Sequence, residues 1–490
     1  MSTVMENYKS VLRQMDDFVL AKPPIQEEVK GLVITDNQLR QWMTVFDKCC
    51  DDGLAKSTTN KGALPMLPSY VRSVPNGTEV GDFLALDLGG TNFRVLLIRL
   101  DGKEAKMDGK IFRVPETIMR GSGEGLFDHI ADCMAKFMGE HGLHNAKQLP
   151  LGFTFSFPCK QDGLTRGTLI NWTKGFNASG VEGADVVQLL REACERRKKR
   201  QLTEDKDVIL DIDVVALLND TVGTLMACAF NDNSCQIGVI VGTGTNACYM
   251  EKLSKIGKLE GENLGGDGLP EEMIINMEWG SFGNNGVMDF CRTEFDRRVD
   301  RESLFPGRAL YEKMISGMYL GEIVRVVLEH LASKGLLFDG ELDAISRHGC
   351  FPTKYLSEIE GELLEDEDKT FQKTFQILED IGISSVSNAD CANVAYICSL
   401  VSTRAAHLTA AGITSLLNRM RKTNVTVGVD GSVYRFHPTF PRMLDEKIDE
   451  LIEGDIEYQL MLSEDGSGRG AALVAAVATR MKLEKKALPN

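Results

Sequence analysis

The chain predicts a mixed α/β fold of two lobes, each built around a strand hairpin, and three observations carry that expectation. A strand–turn–strand unit lies in the first half: FLALDL, then Gly89-Gly90-Thr91-Asn92, then FRVLLIRL. A second lies in the other half: QIGVIV, then Gly242-Thr243-Gly244-Thr245-Asn246, then ACYMEKL, and the turns GGTN and GTGTN echo each other. Stretches of helical periodicity fill the space between, as layered α/β architectures require.

Ahead of the first hairpin, residues 36 to 50 predict an amphipathic helix, with Leu39, Trp42, Met43 and Phe46 on one face and Asp36 near its start. A polar stretch bearing Gly and Pro, roughly 52 to 80, then reads as a hinge or crossover. Past the hairpin, Leu126, Phe127, Ile130, Met134 and Phe137 keep helical register over 126 to 138. LPLGFTFSFP alternates, placing Phe153, Phe155 and Phe157 on one face and Thr154 and Ser156 on the other. VVALL at 214 to 218 is a short apolar strand that runs into Asn219-Asp220 and a helical TVGTLMACAF. Beyond the second hairpin, helices are expected at 318 to 331 and 358 to 380, with a third Gly turn, VTVGV-DGSV-YRF, at 425 to 436.

Composition narrows the class of protein. At 490 residues the chain suggests two or three domains, at about 150 residues each. Hydrophobic residues at 43% and charged residues at 26% are ordinary globular usage, against disorder or a coiled coil. No apolar run reaches the ~18 residues of a membrane span, and MSTVMENYKSVLRQMDDFVL lacks the pattern of a signal peptide. The twelve cysteines, with Cys49 and Cys50 adjacent and no C-x-x-C, read as buried thiols of a reducing compartment. A formal net charge of −16 argues against nucleic acid and anionic membranes as partners. The run Arg196-Arg197-Lys198-Lys199-Arg200 is the exception, and reads as a solvated helix end ahead of an import or partner patch.

Glycine turns after strands let backbone N–H groups approach an anion closely, and polyphosphate needs many such donors. The spelling GxxxxGK[ST] and the protein-kinase motifs are absent, which leaves the turns at 89 to 92, 242 to 246 and 428 to 432. Each alone is as readily a plain hairpin. GTGTNA also spells the dinucleotide motif GxGxxA, but that motif should open a helix, and ACYMEKL suits a strand. No histidine lies within the three turns, and only His437 is near one, so a general base must be Asp, Glu or Lys. Asp220, where an apolar strand meets a helix, has the address of an α/β active-site residue. Taken alone it is more readily a helix N-cap.

In order, LDLGGTNFRV, LGFTFSFP, NWTKGF, LLNDTVGT, IVGTGTNACYM, MEWGSFG, YEKMISGMYLGE, VTVGVDGSVY and EDGSGRGAAL resemble the motifs of the hexokinase family, over about residues 80 to 475. Each occurs once, as in the single-unit hexokinase or glucokinase type. The resemblance implies the sugar-kinase branch of the actin-like ATPase fold, with ribonuclease-H-like sheets flanked by helices and a cleft between two lobes. A small lobe of 73–217 plus 465–490 and a large lobe of 1–72 plus 218–464 are expected. The implied reaction moves the γ-phosphoryl group of ATP to the C6 hydroxyl of glucose, and of mannose and fructose. This is the first step of glycolysis, in the cytoplasm.

Residue by residue, the resemblance makes Asp220 the catalytic base and sets Lys174 to meet developing phosphoryl charge. Ser156, Thr173, Lys174, Asn219, Asp220, Asn246, Glu278 and Glu312 resemble the sugar-binding residues, a ring of acceptors and amides suited to vicinal hydroxyls. Asp87, Gly89, Gly90, Thr91, Asn92 and Arg94 resemble the first phosphate turn, and Thr243 with Gly244 the second. Gly431, Ser432, Val433 and Ser467 resemble the adenosine side. Mg²⁺ is expected to meet Asp87 through water, since it keeps much of its hydration shell. The turns at Asp87 to Thr91, Asp430 to Ser432 and Ser467 also resemble those that hold the phosphate of glucose 6-phosphate in inhibited members, so product should compete with ATP.

The chain departs from the family pattern in three places. Segments 255 to 272 and 196 to 210 are long and are expected to bulge into solvent, and Pro352 replaces a usual Glu beside Thr353 at the adenine edge. The apolar tail of mitochondria-docking members is missing. A non-catalytic sugar sensor on the same fold is the rival reading, and Asp220 together with two phosphate turns is what argues against it. A folding or filament ATPase of the actin-like group gives no reason for NWTKGF and MEWG.

Overall fold

The apolar runs on either side of each glycine turn zip into a sheet, and the two sheets share one plan. The structure, a computed structural model, describes residues 23–56, 64–89, 92–102, 104–144, 146–157, 159–172, 175–204, 210–262, 264, 268–365 and 370–487. Its strands are β1 (Leu67–Pro68), β2 (Val80–Leu88), β3 (Asn92–Asp101), β4 (Glu104–Arg113), β5 (Leu149–Phe155), β6 (Cys159–Gly163) and β7 (Arg166–Leu169). They continue as β8 (Ile212–Leu218), β9 (Cys235–Val241), β10 (Thr245–Lys252), β11 (Glu272–Asn276), β12 (Asn424–Asp430) and β13 (Glu457–Leu462).

The first sheet has the order β4-β3-β2-β5-β8, an antiparallel meander β2–β3–β4 with β5 and β8 added in parallel. The second, β1-β11-β10-β9-β12-β13, repeats it: β9–β10–β11 is the meander, and β12 and β13 run parallel to β9. The echoed turns GGTN and GTGTN therefore join the first two strands of two copies of one ribonuclease-H-like topology. The turn after β9 leads into β10 and not into a helix, which disposes of the dinucleotide reading.

The last helix of each sheet unit packs on the other unit's sheet. The helix Asp220–Asn231 follows β8 but lies on β9 and β12, while Gly466–Ala487 follows β13 but lies on β2 and β5. The two helices cross where both are reduced to glycine. A methyl group on Gly470 would lie 2.1 Å from the carbonyl oxygen of Gly223, so no larger residue permits this approach. Val222, Leu225 and Met226 of one helix and the run Ala471 to Val477 of the other form a core between the sheets, with Phe83, Leu96 and Ile98 from the first and Ile274 from the second.

The helix Asp36–Leu54 begins at a capping box, Thr35 with Gln38, and buries Trp42 and Phe46 against Trp279, Phe282 and Tyr311. The alternation in LPLGFTFSFP holds, but its polar face is not wet: Thr154 is fully buried and donates to the carbonyl of Ser467 at 2.9 Å. The segment 358 to 380 is two helices, Thr353–Glu365 and Gln372–Ile381, because Phe371 takes a left-handed conformation (φ 54°) that begins the second.

The 255 to 272 insertion is exposed at Glu260, Gly261, Glu262, Gly268, Pro270 and Glu271 but anchored at its start. Ile256 and Leu259 enter the core, Lys258 caps the carbonyls of Pro65 and Met66, and Arg72 donates to Pro270 O at 2.9 Å. The basic run extends the helix Val186–Glu204, and residues 205–209 are outside the described ones. Arg196 pairs with Asp128 (2.8 Å), Arg197 and Arg200 with Asp132, and Lys198 with Asp211. These charges are partnered within the fold, in keeping with a solvated helix end. All twelve cysteines are free, and no helix among the described residues is long and apolar enough to cross a membrane.

Candidate active site between the two sheets

Three clusters of side chains meet where the sheets face each other. The first surrounds the turn after β2. Asp87, at the end of β2, accepts from Arg94 of β3 at 2.9 Å and from the Ser467 hydroxyl at 2.8 Å. Arg94 also donates to Ser467 (2.7 Å) and pairs with Asp465 (2.6 Å). Burial opposes the charge of Arg94, but Asp87 and Asp465 outweigh it and hold the guanidinium pKa above its ordinary value. Asn92 opens β3 and is exposed. Ser156 packs on the turn, its Oγ 3.2 Å from where a Cβ on Gly89 would sit. Gly90, Thr91, Thr173 and Lys174 lie outside the described residues.

The second cluster joins the turns after β9 and β12. Gly431 has φ 109°, and a Cβ there would lie 2.4 Å from the carbonyl of Val241, so the two turns touch backbone to backbone. Thr243, Ser432 and Val433 line a cavity of about 530 Å³ together with Met318, Thr353 and Lys354. Thr353 donates to Gly317 O at 2.6 Å, so the helix that follows Pro352 is tied to this cavity without the glutamate expected at 352. Ser467, expected beside Gly431 to Val433, sits in the first cluster instead through its bonds to Asp87 and Arg94.

The third cluster is an amide–carboxylate network. Asn219 ends the β8 segment and caps the helix Asp220–Asn231, its Oδ1 accepting from Thr221 N at 2.9 Å. Asp220 follows as the first residue of that helix and accepts from the same N–H at 3.0 Å. Asn246 of β10 donates to Asn219 Oδ1 (3.3 Å), Asn276 Oδ1 (2.8 Å) and Glu278 Oε1 (3.1 Å). Its own Oδ1 accepts from the backbone of Ala247 and Trp279, which assigns the amide orientation. Glu278 takes a left-handed backbone (φ 55°), unusual for a residue with a Cβ. Glu312 accepts from Thr245 N at 3.0 Å and crowds Gly244, so it stands between this network and the second turn.

Asn219, Asn276, Glu278 and Ser281 give a cavity of about 240 Å³ its polar lining, and Phe155, Phe157 and Ile170 are among its apolar lining. Behind Asp220, Cys248 donates to Thr221 O at 3.1 Å, and burial pushes its thiol up to about 12. It stays protonated and is no nucleophile. Asn276 and Asp465 are the residues that sequence reading missed. Asn276 precedes Glu278 by two, the spacing that puts both on one face of an extended strand, whereas nothing local marks Asp465.

Comparison with known proteins identifies the family. Hexokinase family models match residues 24–230 and 236–477. Rat hexokinase-2 is 47% identical over 93% of this chain, and rat hexokinase-1 is 45% identical over 97%. The chain spans about half the length of these curated relatives, 48% and 49%. Among solved structures, a hexokinase from Schistosoma mansoni complexed with glucose is 41% identical, with a TM-score of 0.79 over 95% of this chain and 99% of that one. Another crystal structure of a hexokinase, 28% identical, has a TM-score of 0.80 over 96% of this chain and 99% of its own. With both halves matched and a solved relative aligned nearly end to end, the chain belongs to the hexokinase family.

Proposed function

We propose that this chain transfers the γ-phosphoryl group of ATP to the C6 hydroxyl of D-glucose, and of mannose and fructose, releasing ADP and the hexose 6-phosphate. The observation that carries this reading is the carboxylate of Asp220 at the start of a helix, beside a network of amides and glutamate that lines a sugar-sized cavity. The glucose held by the Schistosoma relative supports the same class of ligand.

In this reading Asn219, Asn246, Glu278 and Glu312 bind the hydroxyls from one side, and Ser156, Thr173 and Lys174 from the other. Asp220 takes the proton of the C6 hydroxyl as its oxygen bonds to the γ-phosphorus and the bridging oxygen leaves with ADP. The positive end of the helix favours negative charge at Asp220. Asp87, Gly89, Gly90, Thr91, Asn92 and Arg94 cradle the phosphates with Thr243 and Gly244, and Gly431 to Val433 face the adenosine. Ser467 fastens Asp87 to Arg94.

One carboxylate at the phosphate turn suits Mg²⁺, which keeps most of its waters and leans on phosphate oxygens. Asp87 would hold it through water, and its charge would offset that of the phosphates. A small lobe of 73–217 plus 465–490 and a large lobe of 1–72 plus 218–464 would then close on the substrates.

A coupled assay with MgATP across a panel of hexoses tests the reaction. Turnover of glucose is the expected result, and glucose binding without turnover would leave a sugar sensor. In the same assay glucose 6-phosphate should raise the apparent KM for ATP, because its phosphate would share the turns at Asp87 and Ser432. Rates at fixed ATP that stay flat as product is added would refute that competition.

A further inference from the structure

We propose that Asn276 is a positioning residue of the sugar site, holding the Glu278 carboxylate and the Asn246 amide in the register that reads the hexose hydroxyls. This rests on the hexose reading given above. Asn276 is the last residue of β11, pairs in register with Cys248 of β10 and Leu67 of β1, and is 7% exposed. Its side chain does two things at once. Oδ1 accepts from Asn246 Nδ2 at 2.8 Å, and Nδ2 donates to Glu278 Oε1 at 2.8 Å.

Both bonds have a single sense. Asn246 Oδ1 is already occupied by two backbone N–H groups, so its amino group must face Asn276. That leaves the amino group of Asn276 for the carboxylate. Glu278 needs such a constraint. Its left-handed backbone is strained for a residue with a Cβ and persists only where the surroundings over-determine it. The Ser281 hydroxyl donates to Glu278 O at 2.7 Å and fixes the backbone, while Asn276 and Asn246 fix one carboxylate oxygen. Asn276 lines the same cavity as Asn219, Glu278 and Ser281, yet its own polar atoms are used on its neighbours, so it acts through them.

The test uses the full chain with Asn276→Ala and Asn276→Asp. The alanine variant loses a hydrogen bond to a charged group, and KM for glucose should rise about 10-fold or more while KM for MgATP stays within about 2-fold. The aspartate variant puts a second carboxylate against Glu278, and two carboxylates at that distance share a proton. Its glucose affinity should therefore improve as pH falls from 8 to 6, relative to wild type. The other carboxylates near the pair, Asp220 and Glu312, are common to both proteins, so the difference between the two profiles reports position 276.

Wild-type glucose KM in the alanine variant, or parallel pH profiles in the aspartate variant, would overturn the proposal. So would failure of both variants to fold, judged by thermal melting without sugar, since Asn276 would then support the fold and not the site. Wild-type protein that neither binds nor phosphorylates glucose is a separate outcome, and would instead sink the hexose reading itself.

Discussion

Asp220→Ala leaves a folded protein that binds glucose but turns it over about 10²–10⁴-fold more slowly, the usual loss when a positioned base is removed. Folding should survive because the helix Asp220–Asn231 keeps its cap: the Asn219 side chain, not that of Asp220, is the N-cap, and Thr221 N remains satisfied by it. Glucose binding should survive because the amide–carboxylate network of Asn219, Asn246, Asn276 and Glu278 does not pass through Asp220. What is lost is the acceptor for the C6 proton. Turnover of the purified variant, glucose affinity by calorimetry and the melting temperature separate these claims. Turnover near wild type would remove Asp220 from the mechanism.

The second large effect is the dependence of ATP hydrolysis on sugar. Water is smaller than any hexose and reaches every position that a sugar hydroxyl reaches, so a site complete without sugar would waste ATP. The proposed sugar contacts come from both sheets: Ser156 and Asn219 follow the paired strands β5 and β8 of the first, and Asn246 and Glu278 belong to the second. Binding energy of the sugar can thus draw the sides together and complete the nucleotide site. The crossing at Gly223 and Gly470, where nothing larger than hydrogen stands between two helices, would be the pivot of such a closure. Without sugar, ATPase activity should fall on the order of 10⁴-fold below kinase activity, the discrimination that induced fit supplies. Glucose should reduce the radius of gyration in solution scattering and ATP alone should not. Superimposable curves with and without glucose would exclude closure while leaving the chemistry standing.

How much of this was legible follows from the kind of signal each element carries. β2, β3, β9 and β10 announce themselves by apolar runs around glycine turns. The helix Asp36–Leu54 does so by an apolar stripe, with Leu39, Trp42 and Phe46 buried. The helix Asn388–Met420 escaped because it is buried almost all round, which erases the stripe that periodicity detects. β4 escaped for the opposite reason: as an exposed edge strand, EAKMDGKIFR scatters charged residues through its length. At the site, Asp220, Asn246 and Glu278 stand in recognisable motifs, but the partners that orient them do not. The bond from Thr154 to Ser467 joins residues 313 apart, and the pair of Arg94 with Asp465 spans a similar distance. Such contacts follow from the exchange of helices, and no local pattern encodes them. The insertion 255 to 272 looked like solvent-bound loop because its glycines and glutamates are polar, whereas Ile256, Lys258 and Leu259 anchor it.

The exchanged helices also set an order of events on the ribosome. The first sheet is complete in sequence at Leu218, yet the helix that covers Phe83, Ala85, Leu96 and Ile98 begins only at Gly466. At about 5–20 residues per second, the interval between them takes roughly 10–50 s. Throughout that time one apolar face of the sheet lacks the helix that packs on it in the finished fold. Chains stalled before Gly466 should therefore show β2, β3 and β5 cut readily by protease, and resistant once Gly466–Ala487 emerges. Equal resistance in both would mean that the early sheet finds another cover. The helix that covers the first sheet is thus made only after every strand of the second.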